Sequence, residues 1–465
     1  MSTRLMSTRL MSTSSNDTGG GGRRSAEVVR RGKEEEGGEG KKVKVEKLDV
    51  KPPKGTRDFP PSLSRQQTWL FSHFHAVSKS YGFSHYDSPI LESTSLYTRK
   101  AGEEVTEQLY SFLDKGGRPV SLRPEMTPSL ARMVMGLKPT LPIKWYSIPQ
   151  CWRYERSTRG RRREHYQWNV DIWGVEGEAA EAEVLAGMVD LMRSVGLTSD
   201  DVGIKINSRA VLREVTEKMG IGGDKFASVC VLVDKLEKVP IEAIEGDLKD
   251  LGIGREVVEE LLTVLGSKTI DDLAEHVGEE SEAVRDLRSL LRLLDFHGVS
   301  DWMVFDASVV RGLSYYTGVV FEAFDRTGNL RAIAGGGRYD GLVETYGGER
   351  TPAVGFGFGD AVIVELLKDK GLLPDFERGT VDYCVAGVEG PEDGEAVRAA
   401  GILRGKGMSV DLVLEKRKMK WVFKHADRIG ARKVVITGGE EGERGECIVK
   451  DMDTGEQVAV KLGEL

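Results

Sequence analysis

The amino-acid sequence predicts an α+β protein that ends in a smaller α/β unit. Three observations support this prediction: a helical apolar stripe near Pro52, paired strand patterns in the middle of the chain, and alternating strands and helices over residues 381–437. The chain has 465 residues. At about 150 residues per domain, this length accommodates about three domains.

Composition excludes several classes of protein. Lys and Arg number 66 against 74 Asp and Glu, so the net charge is −8; the chain is not a uniformly basic nucleic-acid coat, although a local basic site remains possible. No apolar run approaches the length of a membrane span. Cys151, Cys230, Cys384 and Cys447 lie too far apart for a CxxC motif and argue against a disulfide scaffold. We expect a protein of a reducing compartment without a membrane segment.

The first 50 residues have the composition of a disordered extension. The pentapeptide MSTRL occurs at 1–5 and again at 6–10, and a glycine run follows at 19–22. Such a segment has too little apolar surface to offset an ordering entropy of about 1–2 kcal/mol per residue. Residues 1–26 carry four Arg against one Asp and are rich in Ser and Thr, which is typical of a transit peptide. A plain disordered tail is the alternative.

Helices and strands are predicted in order from Pro52. The first element is a helix, because Leu70, Phe74, Val77 and Tyr81 recur at the spacing of one helix face. The patterns that follow predict strands at 142–155 and 164–173, a helix at 178–193, short charged helices within 225–300, and strands at 303–323 and 352–359. Since the charged helices carry no recognisable chemistry, we expect them to form an inserted domain.

The last part of the chain predicts a separate small α/β domain over 379–465. A polar break with Gly371, Pro374 and Gly379 precedes it. Strands and helices then alternate, as is typical of α/β units. The predicted elements are a strand at 381–387, a helix at 391–406, a strand at 409–414, a helix at 419–429 and a strand at 433–437.

One predicted strand, residues 163–173, carries polar side chains on one face and apolar side chains on the other. The polar face consists of His165, Gln167, Asn169 and Asp171. An antiparallel partner strand would bring Arg153 and Glu155 beside it, and an arginine-rich loop joins the two. This pairing suits an anionic ligand, and an ordinary solvated hairpin face is the alternative.

Two glycine clusters indicate close approach of a ligand or of another backbone. Residues 332–342 read AIAGGGRYDGL, and in the second cluster Gly355, Gly357 and Gly359 share one face of a strand. Such a face would accept a flat ring, and close packing of structural elements is the alternative. Neither cluster is a Walker loop or a GxGxxG motif.

Arg311 precedes a run with Tyr315, Tyr316 and an apolar strand. An arginine at this place is either a satisfied structural cation or a guanidinium directed at a phosphate.

The motifs taken together resemble the histidyl-tRNA synthetase family, of class II, from Pro52 to Leu465. VVRGLSYYTG and AGGGRYDGL are similar to the two segments particular to the family, while the general class II motifs are similar to YDSPILESTSLYTRKAGEE, SLRPEMTPSLAR and CWRYERSTRGRRREHYQWNVDIWG. PPKGTRDFPP resembles the family's N-terminal signature. GRRREHYQW and GFGDAVIVELLKDKGLLP resemble the plant and algal organellar branch.

The resemblance implies an antiparallel class II sheet with helices over 51–224 and 301–375, a helical insertion at 225–300, and an anticodon-binding domain at 379–465. It implies a homodimer that ligates L-histidine to tRNA(His) through a histidyl-adenylate, with ATP as substrate and Mg²⁺ on the pyrophosphate. No metal ligands of the protein are implied. A chloroplast or mitochondrion is the expected compartment, with the cytoplasm as the alternative.

The resemblance also implies roles for individual residues. Arg153 and Arg311 would act as catalytic arginines on opposite sides of the ATP α-phosphate. The histidine-binding residues would be Glu125, Met126, Thr127, Gln167, Asp171, Tyr315 and Tyr316. The ATP-binding residues would be Arg153, Glu155, Gly355, Gly357 and Gly359. A site built on a hydrogen bond to the imidazole rejects analogues without it by about 10⁴–10⁵, so no editing domain is expected.

Residues 414–433 carry eight Lys or Arg against two acidic residues. The resemblance implies that unpaired anticodon bases stack on aromatic side chains here while lysines contact phosphates. A solvated charged helix face is the alternative.

One residue departs from the family pattern. Val362 stands where the third class motif carries an arginine that clamps the ATP phosphate tail, and Arg331 and Arg338 are the nearby candidates to replace it.

Two other functions stay open, a non-catalytic regulatory subunit of histidine biosynthesis and an RNA-binding module. The first would lack the C-terminal domain and an intact RGLSYYTG segment, and the second would tolerate loss of Glu125, Arg153, Gln167 or Arg311.

Overall fold

The computed structural model describes the residue ranges 47–99, 106–234, 239–311, 313–377 and 381–465. The chain divides into two units, Met1–Lys51 and Pro52–Leu465. The extension predicted over residues 1–50 therefore lies almost wholly outside the described residues, and the account below concerns the larger unit.

The strands are numbered along the chain. They are β1 Ser84–His85, β2 Leu91–Ser93, β3 Ser111–Leu113, β4 Pro119–Leu122, β5 Ile143–Ser147, β6 Gln150–Trp152, β7 Glu164–Trp173, β8 Val202–Ser208, β9 Met303–Phe305, β10 Val319–Asp325, β11 Ala334–Arg338, β12 Ala353–Gly359, β13 Val381–Gly387, β14 Val410–Leu412, β15 Ala431–Thr437, β16 Glu446–Asp451 and β17 Gln457–Lys461.

The α-helices are numbered in the same way. They are α1 Pro61–Ser80, α2 Thr94–Thr98, α3 Thr127–Leu137, α4 Ala179–Ser194, α5 Arg209–Lys218, α6 Phe226–Val233, α7 Ile241–Asp250, α8 Arg255–Leu265, α9 Ile270–Val277, α10 Glu282–Phe296, α11 Leu342–Thr345, α12 Asp360–Asp369, α13 Glu395–Gly405, α14 Met419–Arg428 and α15 Gly439–Glu443.

A large, mainly antiparallel sheet is the centre of the unit. Its spatial order is β1-β5-β7-β12-β11-β10-β8-β9, with β6 also paired to β7. Only the outermost pairs among these described strands, β1 with β5 and β8 with β9, run parallel. A small antiparallel sheet, β2-β4-β3, lies apart from it. The α+β class predicted from the sequence is confirmed.

Helices α1 and α4 cover one face of the large sheet. The predicted stripe of α1 is buried at Leu70, Phe74 and Val77, and the Phe74 ring stacks on Trp168 of β7 at a centroid distance of 5.3 Å. Tyr81 follows the helix, and its hydroxyl donates to Asp190 of α4 at 2.7 Å. The period of 3.6 residues therefore predicts this buried face correctly.

The predicted alternation of β7 is also confirmed. Trp168, Val170 and Ile172 enter the main hydrophobic core. On the other face Asn169 and Asp171 are 3% and 1% exposed, so this part of the polar face is buried. A second core that includes helix α3 and the aromatic residues of the RGLSYYTG and GGGRYDGL segments covers that face.

The charged helices predicted within 225–300 are present as α6 to α10. Their apolar side chains, among them Leu261 and Leu287, belong to the same hydrophobic core as the large sheet, and α10 packs against α4. The description of 225–300 as an inserted domain stays a prediction.

The C-terminal sheet has the order β14-β13-β15-β16-β17. Strands β14, β13 and β15 are parallel, as alternation with helices requires, and β16 and β17 add an antiparallel hairpin that was not predicted. Helix α14 packs on one face through Val422 and Ala426, and α13 packs on the other through Ala399 and Leu403. No described helix of the chain is long and apolar enough to cross a membrane.

Candidate active site

A cavity of about 800 Å³ opens on the polar face of the large sheet. Strands β7, β10, β11 and β12 contribute to its wall, together with the arginine-rich hairpin loop before β7 and the first turn of α12. The predicted site residues that line it are Glu125, Arg153, Glu155, Gln167, Arg311, Gly357 and Gly359. The fold therefore gathers side chains from distant parts of the chain into one site.

Arg153 is held by the hairpin between β6 and β7. Its backbone N–H donates to Arg163 O at 2.9 Å, which continues the antiparallel ladder that the strand pattern predicts. Its Nε donates to Pro124 O at 2.9 Å. These contacts use one edge of the guanidinium and fix the side chain in the cavity wall.

Arg311 reaches the same cavity from the segment before β10. Its backbone has φ 59°, a left-handed conformation that is uncommon for a non-glycine residue, and its carbonyl accepts from Arg209 Nη2 at 2.5 Å. Nη1 pairs with Glu322 of β10, while Nε is buried without a hydrogen-bond partner. The side chain is thus anchored by one carboxylate and retains unused donors.

Glu155 also lines the cavity and pairs with Arg161 of the hairpin loop. The first residue of β7 is tied to the first residue of helix α12 by Arg57, whose Nε lies 2.8 Å from Glu164 and whose Nη2 lies 3.0 Å from Asp360. Arg57 belongs to the GTRDF segment, so that sequence signature has a positioning role that the pattern alone does not reveal.

Glu125 presents a buried carboxyl group to the cavity. Tyr315 donates its hydroxyl to Glu125 Oε2 at 2.7 Å, and burial raises the pKa of Glu125. Thr127 begins helix α3 next to it and is 8% exposed. Met126 is fully buried and lies within 3.5 Å of the Ser88 hydroxyl through its sulfur. The cavity wall includes Glu125 but not Met126, Thr127 or Tyr315.

Asp171 lies behind the cavity wall in a cluster of tyrosines. Tyr339 donates its hydroxyl to Asp171 Oδ1, and Oδ2 is buried without a hydrogen-bond partner. Burial raises the pKa of Asp171 to about 7. Tyr316 and Tyr315 lie beside Tyr339, with ring centroids 6.5 Å and 5.8 Å from it. The unpartnered oxygen can accept one more hydrogen bond.

The glycine face of β12 makes room for side chains of the neighbouring strand. Gly355 is paired with Asp171, and a Cβ at Gly355 would overlap Asp171 Oδ1. A Cβ at Gly357 would lie 2.5 Å from Gln167 Nε2, whereas the nearest atom to a Cβ at Gly359 is 4.0 Å away. Of the three glycines, Gly359 leaves the space that a flat ring requires, and Gly355 does not line the cavity.

The three glycines of the AIAGGGRYDGL segment also differ in the atoms that lie against them. A Cβ at Gly335 would overlap the Arg311 guanidinium, whereas Gly336 and Gly337 face the backbone of β12 and β10. The alternative of close packing therefore explains Gly336 and Gly337, and Gly335 allows an arginine to lie across the sheet.

Three residues of the site were given no individual functional role in the sequence analysis. His165 lines the cavity, and its pKa is lowered to about 3 by burial and by the charges of nearby arginines, so its imidazole is neutral. Tyr339 orients Asp171. Arg161 reaches the cavity from the loop. Strand alternation correctly places His165 on the polar face of β7, whereas the contact between Tyr339 and Asp171 joins segments 168 positions apart and has no local signal.

Val362 lines the cavity as an apolar residue and lies against Gly160 of the hairpin loop. Of the two candidates to replace an arginine there, Arg338 is committed elsewhere: its Nε lies 2.5 Å from Glu181, and its Nη1 lies 3.1 Å from Asp340. Arg331 lines the cavity.

The exposed face of α14 carries Trp421, whose ring stacks on His425 at 4.8 Å, with the Arg417 guanidinium 5.0 Å above it. Lys418, Lys420 and Lys424 are exposed around it. This face combines an accessible aromatic ring with positive charge, the two features that bind unpaired nucleotides.

Among the described residues, one group of side chains has three candidate metal-ligand atoms within 4.8 Å of one another: Cys384, Asp411 and His425. Burial raises the pKa of the Cys384 thiol to about 12, which disfavours the thiolate that a metal requires. His425 Nε2 is already 2.8 Å from Asp411 Oδ2.

Comparison with known proteins gives the family. The model of the histidyl-tRNA synthetase family matches residues 55–360, and the model of the anticodon-binding domain matches residues 384–465. The chain is 54% identical to the chloroplastic/mitochondrial histidine–tRNA ligase of Arabidopsis thaliana over 421 residues, 90% of this chain and 86% of the relative. It is 40% identical to a histidine–tRNA ligase of Halobacterium salinarum, over 88% of this chain and 95% of the relative.

A solved structure shows the same arrangement. The histidyl-tRNA synthetase of Nostoc sp. PCC 7120 superposes with a TM-score of 0.73 at 25% identity, covering 90% of this chain and 99% of that one. Sequence, family models and fold agree along the described core and the C-terminal domain, and the chain belongs to the histidyl-tRNA synthetase family.

Proposed function

We propose that this chain ligates L-histidine to tRNA(His) in two steps, using ATP to form a histidyl-adenylate first. The observation that carries the proposal is the convergence of Arg153 and Arg311 on the cavity that also contains Glu125 and Gln167. The names of the relatives support the substrate and the reaction.

The first step needs orientation and charge stabilisation rather than a protein nucleophile. A carboxylate oxygen of histidine attacks the α-phosphorus of ATP, the bond from that phosphorus to the bridging oxygen breaks, and pyrophosphate leaves with the electron pair. Arg153 and Arg311 would bind the α-phosphate from opposite sides, because planar guanidinium groups match phosphate oxygens and stabilise the charge that develops.

Histidine would be held by the acidic part of the site. Glu125, with Thr127 and Gln167, would bind its ammonium group. Asp171 would accept a hydrogen bond from the imidazole through the oxygen that has no partner in the protein, with Tyr316 and Tyr315 beside it. No other amino-acid side chain presents an N–H of that geometry, so Asp171 would give specificity for histidine.

Adenine would lie on the sheet near Gly359, where a ring has space, with the neutral His165 beside it. Glu155, Gly357 and Gly355 belong to the predicted ATP site, and Gly355 would contribute indirectly by leaving room for Asp171. In this proposal the sheet supports the adenine and the arginines hold the phosphates.

Magnesium enters this proposal as part of the substrate, MgATP. Glu155 and Glu322 of the cavity pair with Arg161 and Arg311, and Glu125 accepts from Tyr315. The described residues group no three acidic side chains in the cavity that could hold a metal. In this proposal Mg²⁺ would be bound by phosphate oxygens of ATP.

The second step would transfer the histidyl group to the terminal ribose of tRNA(His), whose anticodon would bind the face of α14 around Trp421. A homodimer is expected from the resemblance of the first class motif. The Arabidopsis relative is chloroplastic/mitochondrial, and we propose an organellar location here as well.

ATP–pyrophosphate exchange with each of the twenty amino acids tests the proposal. Exchange that depends on histidine is expected, and its absence with a folded protein would contradict the proposal. A non-catalytic regulatory subunit or RNA-binding module would give no exchange with any amino acid. The presence of Glu125, Arg153, Gln167 and Arg311 in one cavity favours the enzyme.

A further inference from the structure

The loop between β10 and β11 carries an arginine into the cavity. Arg331 lies in this loop and lines the cavity wall. The loop is fixed nearby, because Ile333 N–H donates to Ala323 O of β10 at 2.8 Å, and Ile333 O accepts from Gly359 N–H at 3.2 Å. The sheet thus holds the backbone two residues beyond Arg331.

No described residue offers Arg331 a hydrogen bond or an ion pair, and its side chain remains accessible from the cavity. Its pKa is lowered by partial burial and then by the like charges of Arg161 and Arg153, against the opposing charges of Glu155 and Glu322. The Arg331 guanidinium therefore lies close enough to interact electrostatically with both ion pairs of the cavity wall, Arg161–Glu155 and Arg311–Glu322.

Two other arginines of the cavity wall, unlike Arg331, already have a carboxylate partner. Arg161 pairs with Glu155 and Arg311 pairs with Glu322, so each is partly neutralised before a ligand binds. Val362 lines the cavity but supplies no charge. An unpaired guanidinium among like charges is favourable only when an anion joins it, and a phosphate is the anion whose oxygens match its donors.

We propose that Arg331 binds the β- and γ-phosphates of ATP. It would thereby replace the arginine of the third class motif, whose position is occupied here by the uncharged Val362. The proposal rests on the ATP-dependent function above. Arg153 and Arg311 are assigned to the α-phosphate, so no side chain of the protein is yet assigned to the β- and γ-phosphates that carry Mg²⁺. Arg331 is a binding residue for the phosphate tail and for the pyrophosphate that leaves.

The test uses the full chain and compares ligands with and without the phosphate tail. In Arg331→Ala we expect the KM values of ATP and pyrophosphate in the exchange reaction to rise about tenfold to hundredfold, as for loss of charged hydrogen bonds. The inhibition constant of AMP and the KM of histidine should change less than about twofold, because these ligands do not reach Arg331. Arg331→Lys should recover part of the loss.

Arg326→Ala is the matched control, since Arg326 lies in the same loop, outside the cavity wall, and donates to Ser199 O at 2.6 Å. It removes the same charge and should leave the KM of ATP unchanged. An unchanged KM of ATP in Arg331→Ala, or equal loss of ATP and AMP binding, would overturn the assignment.

If Arg331→Ala does not fold, Arg331→Gln is measured in the same way and judged by the same criteria. Failure of the wild-type chain to exchange pyrophosphate with histidine would instead refute the proposed function, so the two failures are distinguishable.

Discussion

Asp171 and Gly355 lie directly opposite each other on β7 and β12, and the carboxyl group of Asp171 occupies the space that a side chain at 355 would fill. The glycine is therefore part of the predicted histidine site even though it does not line the cavity. Its effect is to let a carboxyl group lie flat on the sheet beneath the site.

Gly355→Ala should displace Asp171 and weaken histidine binding. We expect the KM of histidine to rise in line with a loss of about 1–3 kcal/mol, the usual cost of an unpaired buried polar group. Asp171→Ala should weaken histidine binding by a similar amount. The measurement is the KM of histidine in pyrophosphate exchange, and Gly136→Ala in helix α3 serves as control, because Gly136 lies outside the cavity wall and a Cβ there meets no atom within 4 Å. A normal KM in Asp171→Ala would contradict the imidazole contact.

The charge state of Asp171 should make stability depend on pH. Burial raises its pKa to about 7, from the usual value near 4 in the unfolded chain. Between about pH 4 and pH 7 the folded protein retains a proton that the unfolded chain has lost, so this residue's contribution to stability is complete below pH 4 and is lost as the pH rises to 7.

Asp171→Asn removes this titration and can still accept the Tyr339 hydroxyl. The free energy of unfolding of the wild type should therefore fall with pH more steeply than that of the variant, by about 1.4 kcal/mol per pH unit within the window. Urea unfolding of both proteins from pH 4 to pH 8 measures the difference. Parallel curves would show that Asp171 titrates normally in the folded state.

Arg311→Ala should slow adenylate formation by orders of magnitude and change histidine affinity little. Loss of one preorganised charge that stabilises a transition state costs about 10²–10³ in rate. Glu322→Gln should give a smaller loss, because it removes the charge that orients Arg311 but keeps a hydrogen-bond acceptor. Single-turnover formation of histidyl-adenylate measures both, and equal rates in wild type and Arg311→Ala would exclude the proposed role.

The sequence predicts local features of this fold well. The face of α1 at Leu70, Phe74 and Val77 and the alternation of β7 follow from periodicities of the chain itself, and the structure agrees. The family resemblance extends the prediction to the sheet and the C-terminal domain. The β16–β17 hairpin escaped prediction because β17 is short and mostly exposed, which leaves little apolar alternation to detect.

Contacts between distant segments could not be predicted in the same way. Arg331 and Arg338 are equivalent candidates in the sequence. In the structure Arg338 pairs with Glu181 of α4, whereas Arg331 lines the cavity. Likewise Gly355, Gly357 and Gly359 form one pattern in the sequence. Their roles differ because the register of β12 against β7 places Asp171 and Gln167 over the first two.

Trp421→Ala should separate tRNA binding from amino-acid activation. The Trp421 ring is 39% exposed, and loss of one stacked base costs about 1–3 kcal/mol, so we expect the KM of tRNA to rise about 5- to 100-fold. Pyrophosphate exchange should stay unchanged, because Trp421 lies in the C-terminal domain and outside the cavity wall. Trp421→Phe keeps an aromatic ring and should retain most of the affinity. Normal charging by Trp421→Ala would place the anticodon contact on another surface of the domain.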